Sequence, residues 1–316
     1  MSALPVEPRA AAALRAHPVA SMDPQQLHLA LTGFARDRLE PSLPDEPACA
    51  AKDAERLRAL EVGFLESERD AVAQRAAEAS QEPDTFVRWF EALRENGPGQ
   101  GDPLFPWLAQ EASLAQMTWF LAQEVAGEAG FDDLVALTQI KMPVQAKLEL
   151  ARNYWDEMGR GRAAAMHGPL LSELARALGV RAHPERTVWE SLALANLLVG
   201  LALDRRYAYH SVGALGAIEL TAPGRVALVD RGLARLGLTK AARRYFTLHA
   251  TLDLKHSHTW NREVIRPLVA QEPRAAQAIA EGALMRLRAG ERCFARYRRD
   301  LGLEPAEASQ DVALAP

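Results

Sequence analysis

Three side chains at positions 245–266, in the stretch YFTLHATLDLKHSHTWNREVIR, have types and spacings suited to metal binding. His249, Asp253 and His256 are four and three residues apart, so on an α-helix they fall within an arc of about 60°. Imidazole and carboxylate groups together bind divalent iron, manganese or zinc. His258 projects to the opposite side and is not counted as a ligand. The pattern favours a metal-binding helix face over a solvated polar stripe with hydrogen-bonded core histidines.

Carboxylates also stand inside apolar stripes of other predicted helices. Glu124 and Glu128 recur at helical spacing among the apolar residues of 117–135, and Glu219 stands alone among the small residues of GALGAIELTAPGR. Burying an unpaired carboxylate is unfavourable, so such a group needs a partner, a proton or a metal. Arginine partners are the alternative explanation.

A fourth segment, KLELARNYWDEMGRGRAAAMHGPLLSELARALG, is predicted as one long helix that carries Glu157 and His167. Ten residues separate the two, which leaves them about 80° out of alignment on an ideal helix. Gly159 and Gly161 lie between them and predict a local irregularity that brings both to one site.

Composition favours an almost wholly helical protein, because Ala, Leu, Arg and Glu dominate and β-branched residues are sparse. A net charge of −4 argues against a general nucleic-acid binder. Two cysteines are too few for a disulfide framework, and we find no signal peptide and no apolar run of membrane-spanning length. We therefore expect a cytoplasmic protein with neither nucleic acid nor membrane as a partner.

The segment NGPGQGDP at 96–103 is the clearest break in the chain. It predicts a partly helical N-terminal extension over residues 1–100, a functional bundle over 101–302 and a disordered tail over 303–316. Within the extension, helices are expected near 24–39 and 50–96, the second of them on the surface. Within the bundle, they are expected near 104–140, 186–203, 207–220, 225–236, 239–266 and 274–301.

Four separate helices thus offer carboxylate or imidazole groups, as in dinuclear sites built inside helical bundles. Three histidines with four carboxylates exceed the needs of one zinc and suit two iron or manganese ions. The paired Glu-x-x-His motifs of ferritin-like bundles are absent from these residues.

The chain resembles the haem-oxygenase-like diiron oxidases and oxygenases, described as iron-containing redox enzymes, over about residues 103–300. The resemblance is carried by FLAQE at 120–124, NYWDEMGRG followed by His167, GALGAIELTAPGR around Glu219, and HATLDLKH at 249–256. It implies an all-α, seven-helix bundle like those of haem oxygenase and the TenA thiaminases. The metal ligands that it implies are Glu124 (or Glu128 one turn on), Glu157, His167, Glu219, His249, Asp253 and His256.

The resemblance also implies two irons, O₂ as co-substrate and a small-molecule substrate. The expected reaction is oxidation of an amino-acid-derived amine in specialised metabolism, by N-oxygenation or by oxidative C–C or C–H cleavage, with an external electron donor. A homodimer is left open. The alternatives are a metal-free helical binding or scaffold protein, an oxidative fatty-acid decarboxylase with the same site, a TenA-like hydrolase with a cysteine nucleophile, and a haem protein.

Overall fold

The computed structural model describes residues 22–43, 51–127, 129–181 and 183–303, without the side chains of 251–254. The regular elements within these ranges are all helices, which confirms the all-α prediction. The predicted tail from residue 304 onward and residues 1–21 lie outside the described residues. The α-helices, in chain order, are α1 (Pro24–Leu39), α2 (Ala51–Asp70), α3 (Ala73–Ala76), α4 (Pro83–Asn96), α5 (Leu104–Gln110), α6 (Leu114–Gly127), α7 (Phe131–Thr138), α8 (Val144–Glu157), α9 (His167–Ala177), α10 (Trp189–Leu203), α11 (Ala208–Arg235), α12 (Arg244–Trp260), α13 (Arg266–Gln271) and α14 (Ala275–Asp300).

Helices α10 and α11 form the centre of the bundle. Helix α10, with the sequence WESLALANLLVGLAL, is apolar almost all round and buried along most of its length, as expected for a core helix. Helix α11 packs against α12 and α14. The α11–α14 crossing is close because it is lined by glycine: a Cβ on Gly213 would overlap the carbonyl oxygen of Ile279, and one on Gly282 that of His210.

The segment Arg205–Arg235, which contains α11, is long and apolar enough to cross a membrane by length and composition. Its apolar window is 61% buried inside the structure, which is typical of the core helix of a soluble bundle. The neighbours that bury it also supply the candidate functional residues described below.

The N-terminal helices contribute to the same hydrophobic core as the bundle. Leu65 from α2 and Phe90 from α4 belong to one cluster of buried residues with Leu197 and Trp260. The surface location predicted for the charged region 50–96 is therefore wrong for its inner face. Even Glu68 is buried there, where it accepts hydrogen bonds from arginines of α14.

Several predicted helix boundaries are corrected by the structure. The region 104–140 is divided into three helices, α5 to α7, and the region 50–96 into α2 to α4. The two helices predicted on either side of Pro223 are one, α11, with Pro223 inside it. Proline cannot donate the backbone hydrogen bond to residue i−4, so Pro223 leaves the carbonyl of Glu219 without its helical donor. Packing on both sides keeps α11 continuous despite this loss.

Candidate metal centre

Helix α12 carries the triplet and begins at Arg244, later than the predicted Thr239. His256 is only 4% exposed and points into the bundle, whereas His258 is exposed, as the helical-face argument predicted. His249 is half-buried. The backbone of Asp253 lies in the helix, but its side chain is outside the described residues, so Asp253 stays a predicted ligand.

The long helix predicted across Glu157 and His167 is broken between them. Glu157 is the last residue of α8, His167 is the first of α9, and two 3₁₀ turns connect them. Gly159, Arg160 and Gly161 have φ values of 60°, 54° and 79°, the left-handed conformation that ends helices. The reversal that follows puts Nδ1 of His167 in contact with Oε2 of Glu157. The predicted irregularity is therefore confirmed, and it is a full break.

Two groups of metal-ligating side chains meet at Glu157. Ligand atoms of Glu157, His167 and His249 lie within 4.8 Å of one another, and so do those of Glu157, Glu219 and His256. The first group is two imidazoles and one carboxylate, a ligand set typical of non-haem iron. Glu157 belongs to both groups.

Hydrogen bonds orient two of the imidazoles toward the carboxylates. Nδ1 of His249 lies 2.8 Å from the carbonyl oxygen of Tyr245 and donates to it, so Nε2 is the basic nitrogen. Nε2 of His256 donates to Oδ2 of Asp156 at 3.1 Å, which leaves Nδ1 facing Oε1 of Glu219 at 3.5 Å. Metal-binding histidines in proteins use this second hydrogen bond to fix the tautomer and ring orientation.

The residues present fit the binding of a metal ion. His167 is 5% exposed, and its Nε2 atom has no hydrogen-bond partner among the described residues. A buried polar atom of this kind needs a partner that is missing from the protein itself. Burial also lowers the pKa values of His167 and His249 to about 4, with the neighbouring imidazoles adding to the effect. Both rings are therefore neutral at pH 7, the form that binds metal.

A cavity of about 180 Å³ opens beside these groups. Glu157, His167, Glu219 and His249 contribute to one part of its wall. Apolar residues of four helices also line it, namely Leu134, Leu171, Leu194, Leu198, Ile218 and Val226. Further polar side chains, among them Glu124, Asp132, Ser191, Arg286 and Tyr297, also line it.

Glu124 lies in this cavity wall but belongs to neither of the two groups that meet at Glu157. It accepts a hydrogen bond from the hydroxyl of Tyr297 at 3.0 Å, and that hydroxyl accepts one from Ser191 at 2.8 Å. Burial raises the pKa of Glu124, while the nearby Arg286 and Arg225 act in the opposite direction. Glu128, the alternative ligand, lies outside the described residues.

Sequence reasoning missed several residues that support the site. Asn153 donates a 2.6 Å hydrogen bond to Oε1 of Glu219, and Asp156 holds His256. Asn153 lies one helical turn before Glu157, so its i, i+4 spacing was the available signal. Arg286 and Tyr297 are eleven residues apart on α14, which places both on the face that is otherwise apolar.

Other residues considered from the sequence take ordinary structural roles. Trp260 is a core residue whose Nε1 donates to the carbonyl of Val212 at 3.2 Å, whereas Tyr245 lines the cavity. Arg160 and Arg162 are exposed. Cys293 is buried outside the cavity lining, and burial raises its thiol pKa to about 12, which is unsuited to a nucleophile. Cys49 lies outside the described residues.

Comparison with known proteins gives a family assignment. Residues 118–291, more than half of the chain, match the model of a family described as iron-containing redox enzyme. No curated protein matches the chain. Two crystal structures of a CADD-like protein of unknown function from Nostoc punctiforme PCC 73102, at 2.00 and 1.35 Å resolution, are similar in shape. They are 18% and 20% identical, cover 76% and 78% of this chain and 98% and 99% of their own, and give TM-scores of 0.49.

The matched region contains α7 to α13 whole, and with them every residue of the two groups that share Glu157. This assignment confirms the haem-oxygenase-like fold expected from the sequence. The chain belongs to the iron-containing redox enzyme family.

Proposed function

We propose that this protein is a non-haem diiron oxidoreductase that uses O₂ to oxidise a small metabolite. The observation that carries the proposal is the pair of ligand groups that share Glu157 and open onto one cavity. One ion would be held by Glu157, His167 and His249, and the other by Glu157, Glu219 and His256, with Asp253 as a further ligand. When bound, the two irons supply the electrons and the coordination positions for O₂ chemistry, and an external donor reduces them again.

The surrounding residues of the chain hold the ligands and select the substrate. Asn153 and Asp156 fix the orientations of Glu219 and His256. The apolar residues of the cavity wall would limit the access of water to the reacting atoms, which limits side reactions. Tyr245 packs on His249 with a ring-centroid distance of 4.3 Å and keeps that ring in place.

The substrate class that we propose is an amine derived from an amino acid. The cavity is small, and its wall combines apolar residues with a carboxylate, Glu124, and a guanidinium, Arg286. A molecule with an ammonium and a carboxylate group is complementary to such a pair, and opposite charges in a buried site attract strongly. The reaction would be N-oxygenation or oxidative C–C or C–H cleavage. A fatty acid has no group for Glu124 to bind, so oxidative decarboxylation of fatty acids is the weaker candidate.

Iron loading followed by O₂ exposure tests the proposal. We expect two irons per chain after anaerobic addition of Fe(II), and rapid uptake of O₂ by the loaded protein. A Mössbauer spectrum of the protein loaded with ⁵⁷Fe should show two coupled ferric ions after oxidation. A protein that binds one iron, or none, with all six described and predicted ligands intact would refute the diiron proposal.

A further inference from the structure

Helix α8 exposes an apolar stripe on the side that faces away from the metal centre. The stripe consists of Val144, Leu148, Ala151 and Trp155, spaced four, three and four residues apart. Val144 is 76% exposed, and Leu148 and Trp155 are 54% exposed. The opposite side of the same helix is buried and carries Glu157. Large apolar side chains exposed in a contiguous row are typical of interaction surfaces.

We propose that the α8 stripe is the contact surface of a homodimer in which two copies of α8 pack antiparallel about a two-fold axis. Spacings of four, three and four residues are those of the seam between two packed helices. With the axis between Leu148 and Ala151, each Leu148 faces the small Ala151 of the partner. Each Val144 then faces the partner's Trp155. A two-fold interface uses the same surface twice, so one self-complementary stripe is sufficient.

A groove beside Val144 provides the space that the partner's Trp155 needs. It is lined by residues 141–146 and by six residues between 262 and 271, and Pro143, Pro267 and Ala270 are among its apolar residues. Arg262 and Arg266 also line it, and a guanidinium packs favourably on an indole ring. The antiparallel arrangement places one exposed tryptophan at each groove, and buried tryptophans carry much of the binding energy of interfaces.

The charges beside the stripe favour antiparallel over parallel packing. Lys147 and Tyr154 flank one side of the stripe, and Gln145 and Arg152 flank the other. Parallel packing would bring Lys147 next to the partner's Arg152, two like charges at the edge of an apolar contact. Antiparallel packing pairs Lys147 with the partner's Tyr154, and Gln145 with the partner's Arg152. Neither of these pairs is repulsive.

The oligomeric state of the full-length protein tests the proposal, with Leu114 as a matched control. Leu114 is 49% exposed at the start of α6, away from the stripe. By light scattering after gel filtration, we expect the wild type and Leu114→Arg to be dimers. Leu148→Arg should be monomeric, with the affinity of the dimer lowered by roughly 100-fold or more, because each copy would bring one arginine into the apolar interface. A dimer that survives Leu148→Arg would show that another surface is used.

A monomeric wild type would also overturn the proposal. Cross-linking tests the direction of packing in a Cys49→Ser background, in which Cys293 is buried. A short bis-maleimide should link an equal mixture of Gln145→Cys and Arg152→Cys chains. It should not link Gln145→Cys alone, whose two cysteines lie at opposite ends of an antiparallel pair. Efficient linkage of that single variant would indicate parallel packing and refute the arrangement.

Discussion

Nε2 of His256 lies 3.1 Å from Oδ2 of Asp156, so the residue next to the candidate ligand Glu157 holds an imidazole on another helix. The same carboxylate accepts a 2.7 Å hydrogen bond from Nε of Arg160 through its other oxygen. Its pKa is lowered by these two donors, against the opposing effect of burial. Asp156 is therefore ionised at neutral pH and fixes the tautomer of His256.

Replacing Asp156 by Ala should lower the affinity for iron by about 10- to 100-fold, the usual cost of losing such a supporting hydrogen bond. Competition with a chelator of known affinity measures the change. Arg160→Ala removes the other partner of the same carboxylate and should have a much smaller effect. Equal losses in the two variants would mean that the whole Asp156 region, rather than the bond to His256, determines the affinity.

His256→Ala and His258→Ala form a second matched pair, because the two residues are close in sequence but His256 is buried and His258 is exposed. We expect His256→Ala to lose the iron held between Glu157 and Glu219, and O₂ uptake with it. His258→Ala should retain iron and activity close to those of the wild type. Iron content per chain and oxygen-electrode traces give the comparison. Similar behaviour of the two variants would contradict the assignment of the helix face.

The metal-facing side of α12 was predictable because helical periodicity alone brings His249 and His256 together. The approach of Glu157 to His167 was predictable only in part. Two glycines indicated an irregular segment, but the left-handed conformation at Arg160 depends on how α9 packs, which local sequence does not encode. The supporting roles of Asn153 and Asp156 depend on contacts between helices far apart in sequence. Glu124 was found by its apolar surroundings, yet those surroundings did not reveal its hydrogen bond with Tyr297.

Gly159 should be essential for the break between α8 and α9. A Cβ there would overlap the carbonyl carbon of Ala165, in addition to the strain of a φ of 60°. Gly237 has a φ of 86° but no atom within 4 Å of an added Cβ, so Gly237→Ala is a control for backbone strain alone. We expect Gly159→Ala to weaken the binding of the iron that depends on His167. Gly237→Ala should have only a modest effect on iron binding.

Iron titration followed by hydrogen exchange of residues 158–166 measures this difference. Binding of a metal by Glu157 and His167 together favours the conformations in which the two residues are close. Protection of the segment should therefore rise on iron loading in the wild type and rise less in Gly159→Ala. Equal protection with and without iron in the wild type would contradict this link.

Gly282, at the α11–α14 crossing, leads to a prediction about the free energy of unfolding. Gly282→Ala would push a methyl group into the carbonyl oxygen of His210 and separate two core helices. We expect the free energy of unfolding to fall by about 1–3 kcal/mol, as for other overpacked cores. Gly33 lies in α1 with no atom within 4 Å of an added Cβ, so Gly33→Ala should instead stabilise by about 1 kcal/mol through helix propensity. Thermal or urea unfolding of the two variants should give changes of opposite sign.

A π-helical segment, Asn261–Ile265, connects α12 to α13. A π turn contains one more residue than the α turn it replaces. Each kind of turn covers about 360°, so deleting one residue here would restore regular α geometry and leave the following residues at almost the same rotation relative to α12. Leu268 and Val269 would then stay in the core, and the groove beside Val144 would keep its far wall. A deletion within the regular turns of α12 would instead rotate α13 by about 100°, so the π segment is the part of this helix where the loss of one residue should be tolerated best.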